Sequence, residues 1–382
     1  MKRRDLLKAA ASGGALAGLG AFGPLIPMVG NVLASNAHAQ GLERLYSQPN
    51  PAIPPVLPKD HGAHPDFRTE WWYFTGWFTS PDSAEPIGIQ ITFFRSAPQV
   101  DLRNPSAFTA QQLLIAHAAV AMPSEGKLRH EDIIRRAGTG SARFQSDQHV
   151  LDLQLPNWRL SSNNGQRWDC NIRTTQLDMN LQIEATQAPW LQGQNGFSQK
   201  GPLPEQSSYY ITQPHMDAKG EVRLGNKRFK VSGQFWMDHE WSSTVLAPNA
   251  QGWDWVGLSG PQGQSLLAFQ IRDQDPNKGP VWAHAAMRQV NGQVNQFKSV
   301  RFETLREWTS PRTGVTYPVE QQLVLDKQSF SLQTLMDDQE LDARASTGTL
   351  YWEGAVRAKT DVANPWGQGY LEMTGYDRPM QL

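Results

Sequence analysis

The sequence predicts an all-β protein made of two tandem antiparallel barrels, and three observations carry that reading. Short segments of period-two alternation fill most of the chain, helical periodicity is scarce, and several landmarks recur in the same order. At about 150 residues per domain, the 382 residues imply two domains or one large one. Charged residues are 19% and the formal net charge is −1, which excludes a disordered acidic chain and lacks the basic excess that nucleic acid attracts. Trp 14 exceeds Tyr 8, an inversion of the usual order, and the single cysteine, Cys170, can form no internal disulfide.

Residues 1–39 read as a twin-arginine export signal. Arg3 and Arg4 precede an apolar Gly/Ala-rich run, and Ala37-His38-Ala39 has the small-x-small form of a cleavage site. The expected destination is the periplasm, and the export machinery is an expected partner. Removing the signal leaves a mildly acidic chain with no further apolar run long enough to span a membrane as a helix. Residues 40–60 form a Pro-rich linker with Pro51, Pro54, Pro55 and Pro58.

The segments Gly88 to Phe94, Val150 to Leu155, Leu177 to Ala185, Arg228 to Phe235 and Leu266 to Arg272 have strand length and alternation, bounded by Gly, Pro, Asn and Ser. Trp71-Trp72-Tyr73 with Ile89-Gln90-Ile91 is echoed by Trp253-Asp254-Trp255 with Phe269-Gln270-Ile271. Ala116-His117-Ala118-Ala119 recurs as Ala283-His284-Ala285-Ala286. Ser208-Tyr209-Tyr210 aligns with Leu350-Tyr351-Trp352, and the block ending at Asp238 aligns with the one ending at Glu372. The order implies duplication, with a first domain over residues 61–245 and a second over 246–382. Each copy suits a small lipocalin-like barrel of about eight strands that can hold one ligand. The first copy carries about fifty more residues, which falls to its loops, where ligand contacts concentrate.

Three blocks carry a family resemblance: Glu70-Trp71-Trp72-Tyr73-Phe74-Thr75-Gly76, Trp236-Met237-Asp238-His239-Glu240-Trp241, and Tyr351-Trp352-Glu353-Gly354-Ala355-Val356 with Gly369 to Tyr376. They resemble the AttH/CrtC lipocalin-like family, which includes carotenoid 1,2-hydratases and exported members described as hydrolases. The resemblance spans about His61 to Tyr376 and implies two lipocalin-like domains. In the hydratase branch it places the proton donor at Asp238. The Asp238-His239-Glu240 wording differs from the Asp-His-Asn wording expected of carotenoid enzymes, which argues against carotenoid specificity.

Protonating an alkene or an electron-rich ring needs a carboxylic acid that burial keeps protonated near neutral pH, with aromatic walls to stabilise a cation. Asp238 between Trp236 and Trp241 has those neighbours. On a strand, Trp236, Asp238 and Glu240 share one face and Met237, His239 and Trp241 the other. With the carboxylates facing the cavity, Asp238 is the acid and Glu240 or Glu70 the base for water; with the other face inward, the acid role moves to His239. Trp71, Trp72, Tyr73, Tyr209, Trp236 and Trp241 are the expected lining. The competing reading makes Asp238, His239 and Glu240 a structural network with backbone amides or Arg95.

His117 and His284 read as packed core histidines. His61 and His64 could join His239 or Glu240 around zinc, but the spacing is not diagnostic and neither a metal nor a cofactor is expected. His239-Glu240 opens an H-E-x-x-H pattern that Ser243 breaks, and no G-x-S-x-G elbow occurs. The expected function is an exported hydratase-type lyase or hydrolase acting on a hydrophobic terpenoid- or carotenoid-like small molecule. The alternative is a non-catalytic periplasmic carrier of a lipid or similar ligand.

Overall fold

In a strand, successive side chains face opposite ways, so a strand with one wet face alternates. Leu177, Met179, Leu181 and Ile183 are buried while Asn180, Gln182 and Glu184 face water. Thr69 to Ser80 breaks this rule, with nearly every residue from Trp72 to Phe78 buried. Such a strand has protein on both sides, and that sandwiched position sets up the site.

In this computed structural model, the described residues are 45–380 without 101–105, 107–108, 139, 141, 146–149 and 361–363. The expected export signal over residues 1–39 lies outside the described residues. The chain is all-β. The first sheet begins with four antiparallel strands, β1 (Thr69–Ser80), β2 (Ser83–Ser96), β3 (Leu113–Ala121) and β4 (Arg129–Arg136). It continues through β5 (Arg143–Gln145), β6 (Val150–Leu155), β7 (Trp158–Asn163), β8 (Arg167–Arg173) and β9 (Leu177–Ala185). Two short strands, β10 (Trp190–Leu191) and β11 (Phe197–Gln199), lead into the long pair β12 (Ser207–Leu224) and β13 (Lys227–Thr244). Its order is β4-β3-β2-β1-β13-β12-β9-β8-β7-β6-β5, with β10 and β11 set against β12.

The second sheet repeats the plan with β14 (Ala250–Ser259), β15 (Ser265–Asp273), β16 (Trp282–Arg288), β17 (Val294–Gln296) and β18 (Val300–Thr309). It is completed by β19 (Thr316–Leu325), β20 (Gln328–Thr334), β21 (Glu340–Ala343), β22 (Thr349–Lys359) and β23 (Pro365–Thr374). Its order is β17-β16-β15-β14-β23-β22-β20-β19-β18, with β21 against β22. Each sheet curls into a barrel-like half around its own core. Trp72, Phe74, Leu160, Trp168, Leu181 and Met237 fill the first, and Leu258, Leu323, Phe330, Trp352 and Leu371 the second.

A third cluster joins the copies: Tyr73, Trp77, Tyr210 and Trp236 of the first sheet meet Trp255, Phe269 and Tyr370 of the second. Trp77 Nε1 donates to the Gly369 carbonyl at 2.8 Å and Trp255 Nε1 to the Tyr210 hydroxyl at 2.9 Å. The two sheets therefore pack face to face through aromatic side chains, each indole contributing about 150 to 250 Å² of surface.

The pairing registers refine the internal alignment. Tyr73 pairs with Asp238 and Trp255 with Glu372, so Asp238 and Glu372 are equivalent, as are His117 and His284, which face Thr92 and Phe269. Two expected correspondences shift. Thr212 pairs with Asp238 and Glu353 with Glu372, which makes Tyr210, not Tyr209, the counterpart of Tyr351. Gln90 and Gln270 are not equivalent: Gln90 shares its face with the inter-sheet Thr92, whereas Gln270 donates to Asp254 on the opposite face. The true counterpart of Gln90 is Leu267, which packs in the inter-sheet cluster.

The registers also expose an arginine common to both copies, paired with an acid from a different position in each. Arg95 Nε reaches Glu70 at 2.8 Å in the first copy, and its equivalent Arg272 reaches Asp254 at 3.2 Å in the second.

Candidate active site

The β13 segment Trp236 to Trp241 sends its side chains to two different places. Met237 belongs to the first core, and His239 stacks on Trp72 with ring centroids 4.6 Å apart. Trp236, Asp238 and Glu240 point the other way, towards the second sheet. There an inter-sheet cavity is lined by Trp71, Tyr73, Lys200, Tyr210, Asp238 and Glu240 on one wall and by Trp253, Trp255, Phe269, Glu353 and Glu372 on the other. Its volume is about 120 Å³, enough for a small organic molecule.

Asp238 is 2% exposed. Thr212 Oγ1 donates to its Oδ1 at 2.6 Å and the Tyr210 hydroxyl to its Oδ2 at 2.8 Å. The direction of the second bond is fixed: an indole N–H can only donate, so Trp255 Nε1 uses the Tyr210 oxygen as acceptor and leaves the phenol proton for Asp238. Both bonds favour the carboxylate, but burial outweighs them and holds the Asp238 pKa at about 7. With Tyr210 and Thr212 both donating to it, a protonated Asp238 can present its own proton to the cavity.

Glu372 on the facing wall is likewise raised to about 7, by burial and then by the nearby Asp238 and Glu240. Glu353 lies beside it across β22 and β23, accepts from the Tyr73 hydroxyl at 2.6 Å, and is pushed well above the usual carboxylate range by burial and by Glu372. Glu240 is also raised by burial, opposed by Lys200, whose Nζ lies 3.2 Å from Glu240 Oε2. Lys200 is itself lowered by burial, with Glu240 pulling the other way.

The opposite face of β13 holds a separate polar cluster. Glu70 accepts from Arg95 Nε at 2.8 Å and the His64 backbone N–H at 2.9 Å, and its Oε1 lies 2.7 Å from His64 Nδ1 and 2.9 Å from His239 Nε2. Burial pushes Glu70 up, but His64, His239 and Arg95 together hold it well below the ordinary value. Glu70, His64 and His239 are the one metal-like trio among the described residues. Arg95 already supplies a positive charge on the same carboxylate, 2.8 Å from Oε2, and would repel a cation placed there.

The expected site residues thus separate. Trp71, Tyr73, Asp238 and Glu240 converge on the cavity, whereas Trp236 packs against Trp255 without lining it. Glu70, Trp72, His239, Trp241 and Tyr209 lie on the other face. Trp241 stacks on His64 at 3.9 Å, and the Tyr209 hydroxyl bonds both backbone groups of Asn50 at 3.0 and 3.1 Å, tying down the Pro-rich segment. His117 is satisfied by Tyr351 and by Ser346 Oγ at 3.0 Å, and burial lowers it to about 3, as suits a neutral core histidine. Lys200, Tyr210, Thr212 and Glu353 were not singled out from the sequence as site residues.

The chain matches the AttH-like family over residues 48–376. It belongs to that family. This AttH-like protein is similar to a crystal structure of an AttH candidate from Nitrosomonas europaea, with 40% identity, a TM-score of 0.79, and coverage of 86% of this chain and 99% of the other. Kievitone hydratase from Nectria haematococca matches at 16% identity with a TM-score of 0.65, covering 87% of this chain and 96% of that one. CghA matches at 12% with a TM-score of 0.55, over 89% and 98%. The last two likenesses show a shared fold. No curated protein matches the sequence.

Proposed function

We propose that this AttH-like protein is an exported enzyme of the hydratase or hydrolase type that uses Asp238 as general acid on a hydrophobic small molecule held between its two sheets. One observation carries the reading: a buried carboxyl group lines an aromatic cavity, with hydroxyls of Tyr210 and Thr212 donating to its two oxygens. In the hydration form, the Asp238 O–H bond breaks as its proton adds to an alkene carbon. Trp71, Tyr73, Trp253 and Trp255 surround the resulting cation with π faces. Water then forms the C–O bond, and its surplus proton returns to the Asp238 carboxylate, restoring the acid. The name of the structural neighbour kievitone hydratase supports this chemistry, and Arg3-Arg4 with the following apolar run supports export to the periplasm.

The test is to extract and weigh the ligands that copurify with the native protein and with Asp238→Asn. The variant should fold and retain an unreacted molecule that differs from the native protein's ligand by one water or by a hydrolysed fragment. The same ligand, unchanged, in both proteins would establish a carrier instead.

A further inference from the structure

Lys200 enters the cavity from the segment between β11 and β12. The second copy places β21 against β22 in the equivalent position, and that segment contains no lysine. Lys200 is 5% exposed and is the sole basic residue of the cavity lining among the described residues. Its Nζ sits 4.4 Å from the centre of the Tyr210 ring and 4.3 Å from that of Phe269, so it bridges the two sheets. An ammonium has three N–H donors and no acceptor. Ser198 Oγ and Glu240 Oε2, both at 3.2 Å, account for two of them among the described residues.

Glu240 and Ser198 leave the third donor of a buried ammonium among aromatic rings, where a hydrogen-bond donor without an oxygen acceptor is costly. We infer that Lys200 anchors the ligand by donating its remaining N–H to a neutral carbonyl oxygen, which makes the substrate class an apolar molecule bearing a ketone, ester or amide group. An anionic head is disfavoured, because Glu240 lies against the same nitrogen and Asp238, Glu353 and Glu372 share the space. Tyr210 connects the two functions: its ring lies under Lys200 and its hydroxyl holds Asp238. A carbonyl fixed at Lys200 therefore leaves the apolar body of the ligand against the acid. Lys200 in this role is a specificity residue, and the inference rests on the cavity being the ligand site, as proposed above.

The test compares acetophenone with ethylbenzene, which share a shape but differ in the acceptor oxygen, by calorimetric titration of the whole protein. The native protein should bind both. Lys200→Met should weaken acetophenone about tenfold, the scale of one charge-assisted hydrogen bond, and leave ethylbenzene unchanged. The double variant Lys200→Met/Glu240→Gln, which also removes the carboxylate that Lys200 neutralises, should behave the same way if the single variant folds poorly. Equal losses for both probes, or no loss for acetophenone, would overturn the anchor while leaving the cavity as the site. Failure of the native protein to bind either probe would overturn the cavity reading and this inference with it.

Discussion

The Tyr73 hydroxyl donates to Glu353 Oε2 at 2.6 Å, joining the first strand of one sheet to a strand of the other inside the cavity wall. Asp238, the register partner of Tyr73, is held instead by Tyr210 and Thr212 of its own sheet. The acid is thus fixed by one copy, while the facing carboxyl helps lock the copies together. Tyr73→Phe should cost about 1 to 2 kcal/mol, the worth of a buried hydrogen bond whose acceptor is left without its donor. Urea unfolding would measure it, and an unchanged midpoint would remove the locking role.

Asp238 and Glu372 give the protein an unusual pH response. Both have folded-state pKa values raised to about 7, so the native state holds protons that the unfolded chain releases near the ordinary carboxylate value. Their contribution is complete in acid and is lost as pH rises from about 4 to about 7, at up to ~1.4 kcal/mol per unit for each group. Asp238→Asn should flatten that loss in denaturation curves recorded from pH 5 to 7. Turnover should decline above pH 7 as the acid ionises; a rate that rises through this range would contradict general-acid use of Asp238.

Glu70 behaves in the opposite sense. Its depressed pKa adds stability above the ordinary carboxylate value, which is lost only as pH falls towards the folded value. Glu70→Gln leaves Arg95, fully buried, without its counter-charge and should cost about 3 to 5 kcal/mol. Thermal unfolding would report the loss, and turnover at low temperature should persist. A folded but inactive Glu70→Gln would move this cluster into the chemistry.

Residues of the connection between the sheets border the cavity and predict its entrance. Thr69, Val245 and Leu246 line both the cavity and an outer recess formed by Arg68, Ser243, Pro248 and Gln274. Leu246→Trp should slow acetophenone association in stopped-flow fluorescence and Leu246→Ala should speed it, with smaller effects on affinity. Equal association rates in both would place the entrance elsewhere.

Much of this was legible in the sequence. Alternation located β6 and β9 to the residue, because each has one wet face. The repeat located the equivalent acids Asp238 and Glu372, because close pairing preserves order around them. Alternation also divided β13 into two faces but could not say what lay beyond each, since both are buried and only the second sheet makes one of them a cavity. The Tyr209 and Tyr210 assignment failed by a single residue, and in a strand that moves a side chain to the other face. Lys200 left no signal, because a lysine in a loop looks solvated until the chain folds it under Phe269.

The cavity walls are corresponding faces of the two copies: Tyr73 opposite Trp255, and Asp238 facing its own counterpart, Glu372. This is the arrangement of a symmetric dimer whose subunits have become one polypeptide. In a true dimer any change to one wall appears in both, so an acid could not be tuned without altering its twin. Fusion lifts that constraint. One copy could place a lysine and a threonine beside its aspartate while the other held a glutamate pair, and a two-fold interface became a site with a front and a back.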